Sequence, residues 1–175
     1  MSNLNLTEKQ FESDIEYSLL TYGGYEKGAP KAFDRVAALD TETLISFVKA
    51  TQPKSWEKYE TIYGTSCEKS FIERFCKEVK SLGLLAVLRH GFKDRGITFR
   101  IVYWKPETSI NQTAKEQYER NILHCTRQLH YSPNNENSID IVLFVNGIPV
   151  VSMELKNQFT GQDTDNAIRQ YKFDR

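Results

Sequence analysis

Apolar side chains recur at helical spacing through the first half of the chain. Phe11, Ile15, Leu19 and Tyr22 fall at i, i+4, i+8 and i+11, one face of an amphipathic helix from about Thr7 to Tyr22 that Gly23-Gly24 stops. A second helix is predicted over Thr41 to Ala50, closed at Thr51-Gln52-Pro53 because proline cannot continue it. The aromatic stretch at Trp56, Tyr59 and Tyr63 shows no decisive period. Thr65 with Glu68 matches a capping box, in which each side chain bonds the other's free backbone N–H. Phe71, Phe75, Val79 and Leu82 then repeat at helical spacing, and Gly83 stands where a C-terminal glycine belongs.

The pattern then changes period. Leu84–Arg89 and Ile97–Trp104 read as strands joined through Gly91 and Gly96, the second ended by Pro106. Tyr118, Ile122, Cys125 and Leu129 predict a further helix from about Thr113 to His130, broken by Ser132-Pro133-Asn134-Asn135. Ile139–Val145 and Pro149–Lys156 are rich in Val and Ile and meet at Asn146-Gly147, the strongest short-range hairpin signal. A last helix is predicted from about Asp163 to Phe173, after Thr160-Gly161. Helices, strands, a helix, an antiparallel pair and a helix make a mixed α/β sheet domain.

Composition narrows the class. The 175 residues are 39% hydrophobic and 26% charged, an ordinary globular composition that excludes collagen-like, low-complexity and wholly disordered chains. One domain spanning residues 1–175 is the expectation at this length. Lys and Arg together number 23 and so do Asp and Glu, so nucleic-acid binding would have to come from a local basic face, not from net charge. The sequence has no run approaching a membrane span and no secretion signal at its start, and Cys67, Cys76 and Cys125 form no C-x-x-C pair. Reduced thiols in a cytoplasmic protein are expected. His90, His124 and His130 make no metal spacing with the cysteines, and packing and surface roles suffice for them.

Candidate chemistry lies in the hairpin. Asp140, Glu154 and Lys156 interrupt largely apolar strands, where charge is costly unless it is paired or binds a metal. Glu154 and Lys156, two apart, share a strand face, and Asp140 lies on the partner strand near them. Two carboxylates and a lysine on one sheet surface suit Mg²⁺, with the lysine orienting or deprotonating water or stabilising charge on phosphate. Register decides whether they meet. A strict two-residue turn pairs Val145 with Ile148 and hence Asp140 with Met153, setting Asp140 and Glu154 on opposite faces. A bulge at Pro149 would bring Asp140 opposite Glu154. The bland reading of the same residues is a half-exposed strand pair with a Glu154–Lys156 ion pair.

The segment Asn137 to Asn157 resembles the nuclease domain of the R (restriction) subunit of type I restriction–modification enzymes. The resemblance extends to Thr160-Gly-Gln, Ala167-Ile-Arg-Gln-Tyr-Lys172, Arg89–Gly96, Val102–Pro106, Thr51-Gln-Pro-x-x-Trp56 and Thr7–Glu16. It implies a restriction-endonuclease-like α/β fold: a mixed β-sheet flanked by α-helices, with an N-terminal helical portion and a PD-(D/E)xK core. It further implies Asp140 and Glu154 as metal ligands, Lys156 as the catalytic lysine and Mg²⁺ as cofactor. Glu12, with Glu16 as the other choice, matches a further acidic residue on the first helix. Gln170 matches the glutamine of a Gln-x-x-x-Tyr motif whose tyrosine position here is Asp174.

The implied activity is cleavage of double-stranded DNA, with specificity supplied by methyltransferase and specificity subunits. ATP would enter only through motor domains, and the chain contains no G-x-x-x-x-G-K-[ST] loop. An N-terminal fragment of a longer R subunit is therefore expected. Arg89, Lys93, Arg95, Arg100 and Lys105, interleaved with Phe92, Phe99 and Trp104, form one candidate phosphate-tracking surface, and Arg169 with Lys172 a second. A catalytically silent assembly or DNA-binding module, docking onto motor and methyltransferase subunits, is the other function compatible with this fold.

Overall fold

The computed structural model describes residues 8–108 and 110–155, with 168, 169 and 172 beyond them. In chain order the elements are α1 Glu8–Tyr22, β1 Glu26–Lys27, β2 Phe33–Asp34, β3 Leu39–Asp40, α2 Thr41–Thr51, α3 Pro53–Tyr63, α4 Cys67–Leu82 and α5 Leu84–His90. There follow β4 Phe92–Asp94, β5 Ile97–Phe99, α6 Gln112–Glu119, β6 Leu123–His130, β7 Ser138–Val145 and β8 Ile148–Met153. The chain divides into two compact units. Among the described residues, one takes 8–36, Leu123–Phe144 and those from Pro149 onward. The other comprises Ala37–Ile122 with the hairpin tip Val145–Ile148.

Among the described residues, the first unit holds a mixed sheet of four strands in the order β1-β6-β7-β8. β1 runs parallel to β6, with Glu26 opposite His124 and Lys27 opposite Cys125. β6 and β7 are joined by residues 131–137, too short a connection for a parallel crossover, so this pair is antiparallel. Apolar residues cover both sheet faces. Cys125, Ile141, Leu143 and Leu155 pack with Met153, Tyr25 and the α1 residues Ile15 and Leu19. Leu129, Val142 and Phe144 pack on the other face with Phe33 and Ile139.

The second unit is mainly helical, with the antiparallel pair β4–β5 and an aromatic core. Phe71 lies 5.1 Å from Phe99 and 5.4 Å from Trp56 between ring centroids, and Tyr59 sits 5.2 Å from Phe99. Both close contacts of Phe99 are edge-on, the geometry that ring quadrupoles favour. The undecided aromatic stretch is therefore helix α3, whose Trp56 and Tyr59 enter this core.

Several expected elements are corrected. Leu84–Arg89 is helical, not extended: its leucines and alanine are strong helix formers, bracketed by Gly83 and Gly91 at positive φ. The helix expected to reach His130 stops at Glu119. Asn121 ends it, its side-chain amide donating to Tyr118 O at 2.8 Å and Tyr103 O at 2.7 Å. The residues beyond become β6, which bonds strands on both sides, and that ladder outweighs the helical spacing of Cys125 and Leu129. The strand expected over Ile97–Trp104 ends at Phe99. The capping box does not form, because Thr65 lies in a 3-10 turn, Gly64–Ser66, closed by Cys67 N–H donating to Gly64 O. The helix predicted from Asp163 lies outside the described residues, apart from Ile168, Arg169 and Lys172, which are helical and exposed.

The Asn146-Gly147 hairpin forms as expected, with φ of 51° and 81° at its two turn residues, the doubly positive pattern of a type I′ turn. Gly147 has a second reason to be glycine, since a Cβ there would strike the carbonyl oxygen of Asp40. Asn146 is fully buried. Its Oδ1 accepts from Ile122 N at 2.7 Å, and its Nδ2 donates to Ile101 O at 2.8 Å and Asn121 Oδ1 at 2.9 Å. A buried amide with these partners fixes the tip of the hairpin that carries Asp140.

Candidate active site

Helix α1 presents an unexpected face. Phe11 and Tyr22, assigned inward by the apolar spacing, are exposed, and the buried positions are the carboxylates Glu12 and Glu16, at 6% and 8% exposure. Spaced i, i+4, the two share one face of the helix, and on that face they meet Arg127 of β6. Arg127 Nε donates to Glu12 Oε1 at 2.6 Å and its Nη1 to Glu16 Oε2 at 3.0 Å. Lys27 Nζ adds a longer contact to Glu16 at 3.5 Å. The hydrogen bond to Glu12, with further support from Glu16 against the cost of burial, raises the Arg127 guanidinium above its ordinary value. Beneath the site the buried thiol of Cys125 is pushed up to about 11, by burial first and then by the Glu16 charge.

The next residue breaks the strand's alternation. Gln128 has φ of 48°, a left-handed conformation uncommon outside glycine. The side chains of Arg127 and Gln128 consequently both reach Glu12, whereas Leu129 returns to the opposite cluster. This is the local signature of a β-bulge. An irregularity of the kind considered at Pro149 thus occurs on β6, the other neighbour of the Asp140 strand.

Gln128 joins two carboxylates. Its Nε2 donates to Glu12 Oε2 and to Asp140 Oδ1, each at 3.2 Å, and its Oε1 accepts from Ser138 Oγ at 3.0 Å. Asp140 Oδ2 accepts from Leu155 N at 2.7 Å, so Asp140 touches the backbone beside Glu154 although the hairpin turn has two residues. Glu8, Lys9, Glu12, Arg127, Gln128, Asp140 and Leu155 line a cavity of about 430 Å³. Its walls hold carboxylate oxygens and cations, with no thiol or imidazole among them.

The remaining sequence-predicted residues fall as follows. Glu154 comes directly after β8, half-buried, with Oε1 shielded from solvent. Lys156 and Gln170 lie outside the described residues. Arg89, Lys93, Arg95 and Arg100 are exposed in the second unit, and Phe92 and Phe99 between them are core, not surface. Arg95 Nε donates to Tyr63 Oη at 3.4 Å, and Arg100 Nη1 donates to Arg89 O at 3.3 Å. Trp104 is 56% exposed. Arg169 and Lys172 are exposed.

Asp140 and Glu12 are brought to one cavity and joined by Gln128, with Arg127 bonded to Glu12 and Glu16; sequence reasoning passed over both Arg127 and Gln128. The only sequence trace of Arg127 was the pair Glu12 and Glu16 on a helix otherwise read as apolar. Gln128 left no trace, because a positive φ at a non-glycine residue has no sequence signature. Among the described residues no three His, Cys, Asp or Glu side chains converge as a metal set. The donors present, carboxylates lining a cavity of about 430 Å³, are nevertheless the oxygen class that Mg²⁺ takes, and the cavity has room for the several waters it keeps. The cysteines are free thiols, and no helix among the described residues is long and apolar enough to cross a membrane.

Residues 47–175 match the family model described as type I restriction enzyme R protein N terminus (HSDR_N). Comparison with curated proteins and with solved structures returned no match.

Proposed function

The chain belongs to the family of type I restriction enzyme R protein N termini, and from that premise we propose that it is a Mg²⁺-dependent nuclease domain. Its reaction is hydrolysis of phosphodiester bonds in double-stranded DNA. Asp140 and Glu154, with Glu12 from α1, would hold the ion, which when bound polarises phosphate and lowers the pKa of water. Lys156 orients the attacking water or stabilises negative charge on the phosphate, and Gln170 assists. Asp140 and Glu12 hold the oxygen-rich wall of the cavity, and Arg127 prevents the Glu12 and Glu16 charges from repelling each other. Arg89, Lys93, Arg95, Arg169 and Lys172 bind backbone phosphates, which adds affinity without sequence preference. In the assembled enzyme, in the cytoplasm, methyltransferase and specificity subunits choose the DNA, and ATP acts through a motor that this sequence does not contain.

The observation that carries this reading is Asp140 facing Glu12 across one cavity, in a chain of this family. A catalytically silent assembly module draws its support from the Gln128 amide, which bonds Glu12 and Asp140 without any cation. A Mg²⁺ titration of DNA cleavage by the assembled restriction complex separates the two. Cleavage that rises with Mg²⁺, disappears with chelator and is lost in Lys156→Ala supports the nuclease. Cleavage by Lys156→Ala at the wild-type rate overturns the assignment.

A further inference from the structure

We propose that Gln128 is a positioning residue that occupies the cation position between Glu12 and Asp140, so that metal binding requires its amide to be displaced. The inference rests on the nuclease reading above and adds to it a residue with a defined competitive role.

The amide's orientation is fixed by chemistry. Its nitrogen faces two carboxylate oxygens, which only accept, and its oxygen faces the Ser138 hydroxyl, which can donate. A flipped amide would set its oxygen against two carboxylates, so the assignment of nitrogen and oxygen is unambiguous. One neutral NH₂ therefore gives each carboxylate one hydrogen bond, the service a cation would render with charge. Without it, the hydrogen bonds left to the pair would be those from Arg127 to Glu12 and from Leu155 N–H to Asp140.

Two features show that this placement is imposed by the surrounding fold. The backbone of Gln128 adopts φ of 48°, and that conformation turns its side chain to the same side as Arg127. Gln128 is also exposed although three of its hydrogen-bond partners are protein groups, so the side chain has solvent to swing into when displaced. By contrast Arg127 is partly buried and bonded to both helix carboxylates, and it stays in place. The amide is the exchangeable member of the cluster and the guanidinium the permanent one.

Removing the amide should therefore tighten cation binding. Gln128→Gly deletes it and relieves the positive φ in the same step. Gln128→Asn keeps an amide and tolerates the backbone, but is one methylene too short to reach both carboxylates. Calorimetric titration of MgCl₂ into the metal-free 175-residue chain reads the effect as a Kd, and thermal unfolding of the metal-free protein checks the fold.

The expected result is a Kd roughly tenfold lower in both variants, because two ordinary hydrogen bonds no longer have to be broken. The variants' metal-free melting temperatures should stay close to that of the wild type. A Kd unchanged or raised in both variants, with the fold intact, overturns the inference. Asp140→Asn is the control for the underlying reading. If it leaves Mg²⁺ uptake at the wild-type level, the metal assignment itself fails. If it abolishes uptake while Gln128→Gly changes nothing, only the role of Gln128 fails.

Discussion

Replacing Asn146 by alanine tests whether one buried amide holds the hairpin that carries Asp140. The side chain is wholly inaccessible and makes three hydrogen bonds, two of them to backbone groups of Ile122 and Ile101. Asn121 Oδ1 keeps a second donor, Tyr103 N at 3.2 Å, so its loss is small. Ile122 N–H and Ile101 C=O would be left unpaired, at about 1–3 kcal/mol each. Alanine at φ of 51° adds about 1 kcal/mol. The sum is about 3–7 kcal/mol, comparable with the whole stability of a modest domain, and its midpoint corresponds to a fall in Tm of ~10 °C or more.

Thermal unfolding followed by circular dichroism measures it, with two companion variants. Asn146→Gly should recover about 1 kcal/mol, the backbone part. Asn146→Asp keeps shape and turn preference but sets an acceptor against Ile101 O and Asn121 Oδ1, and should be no more stable than the alanine variant at pH 7. An Asn146→Asp protein as stable as the wild type would refute the reasoning, because packing alone would then explain the site.

Other consequences follow from the same contacts. Arg127→Met leaves two nearly buried carboxylates without their shared cation and should cost about 3 kcal/mol in urea unfolding, while Arg127→Lys, a single point charge that cannot span both, should recover only part of it. An Arg127→Met protein within about 0.5 kcal/mol of the wild type would show that the pair is idle. For Asp94, burial opposes ionisation, but hydrogen bonds from Tyr63 and Tyr59 and the charges of Arg74 and Arg95 outweigh it and hold the carboxyl below its usual range. A depressed carboxyl adds stability above its unfolded pKa and loses it as pH falls through the folded one. The advantage of wild type over Asp94→Asn should accordingly be full at pH 7 and shrink below about pH 4, and a pH-independent difference would contradict it.

How far the sequence could be read depends on the range of the forces involved. The Asn146-Gly147 hairpin and helix α2 were legible because turn chemistry and caps are local; Asp40 Oδ1 accepts from Thr43 N at 3.0 Å at the start of α2. Helix α5 and strand β6 were misread because a five-residue apolar run and a chance helical spacing lack the information that decides them. For β6 that information is pairing with β1 and β7. On α1 the error was instructive, since apolar spacing pointed to Phe11 and Tyr22 while an arginine 111 residues beyond Glu16 drew the carboxylates inward. Asp140 stood out as a charge in an apolar strand, whereas Glu12 was singled out only through the family resemblance, with Glu16 as the other choice. Gln128 did not, because its role comes from a backbone angle that only the folded sheet imposes.

The central claim concerns Asp140, and single-turnover cleavage of supercoiled plasmid by a restriction complex rebuilt with Asp140→Ala tests it most directly. Mg²⁺ and ATP are held saturating, and ATP hydrolysis is measured in the same reaction. The account predicts uncut plasmid with ATP hydrolysed at the wild-type rate, because the carboxylate lost belongs to the nuclease site alone. Plasmid cut at the wild-type rate by that complex would contradict it.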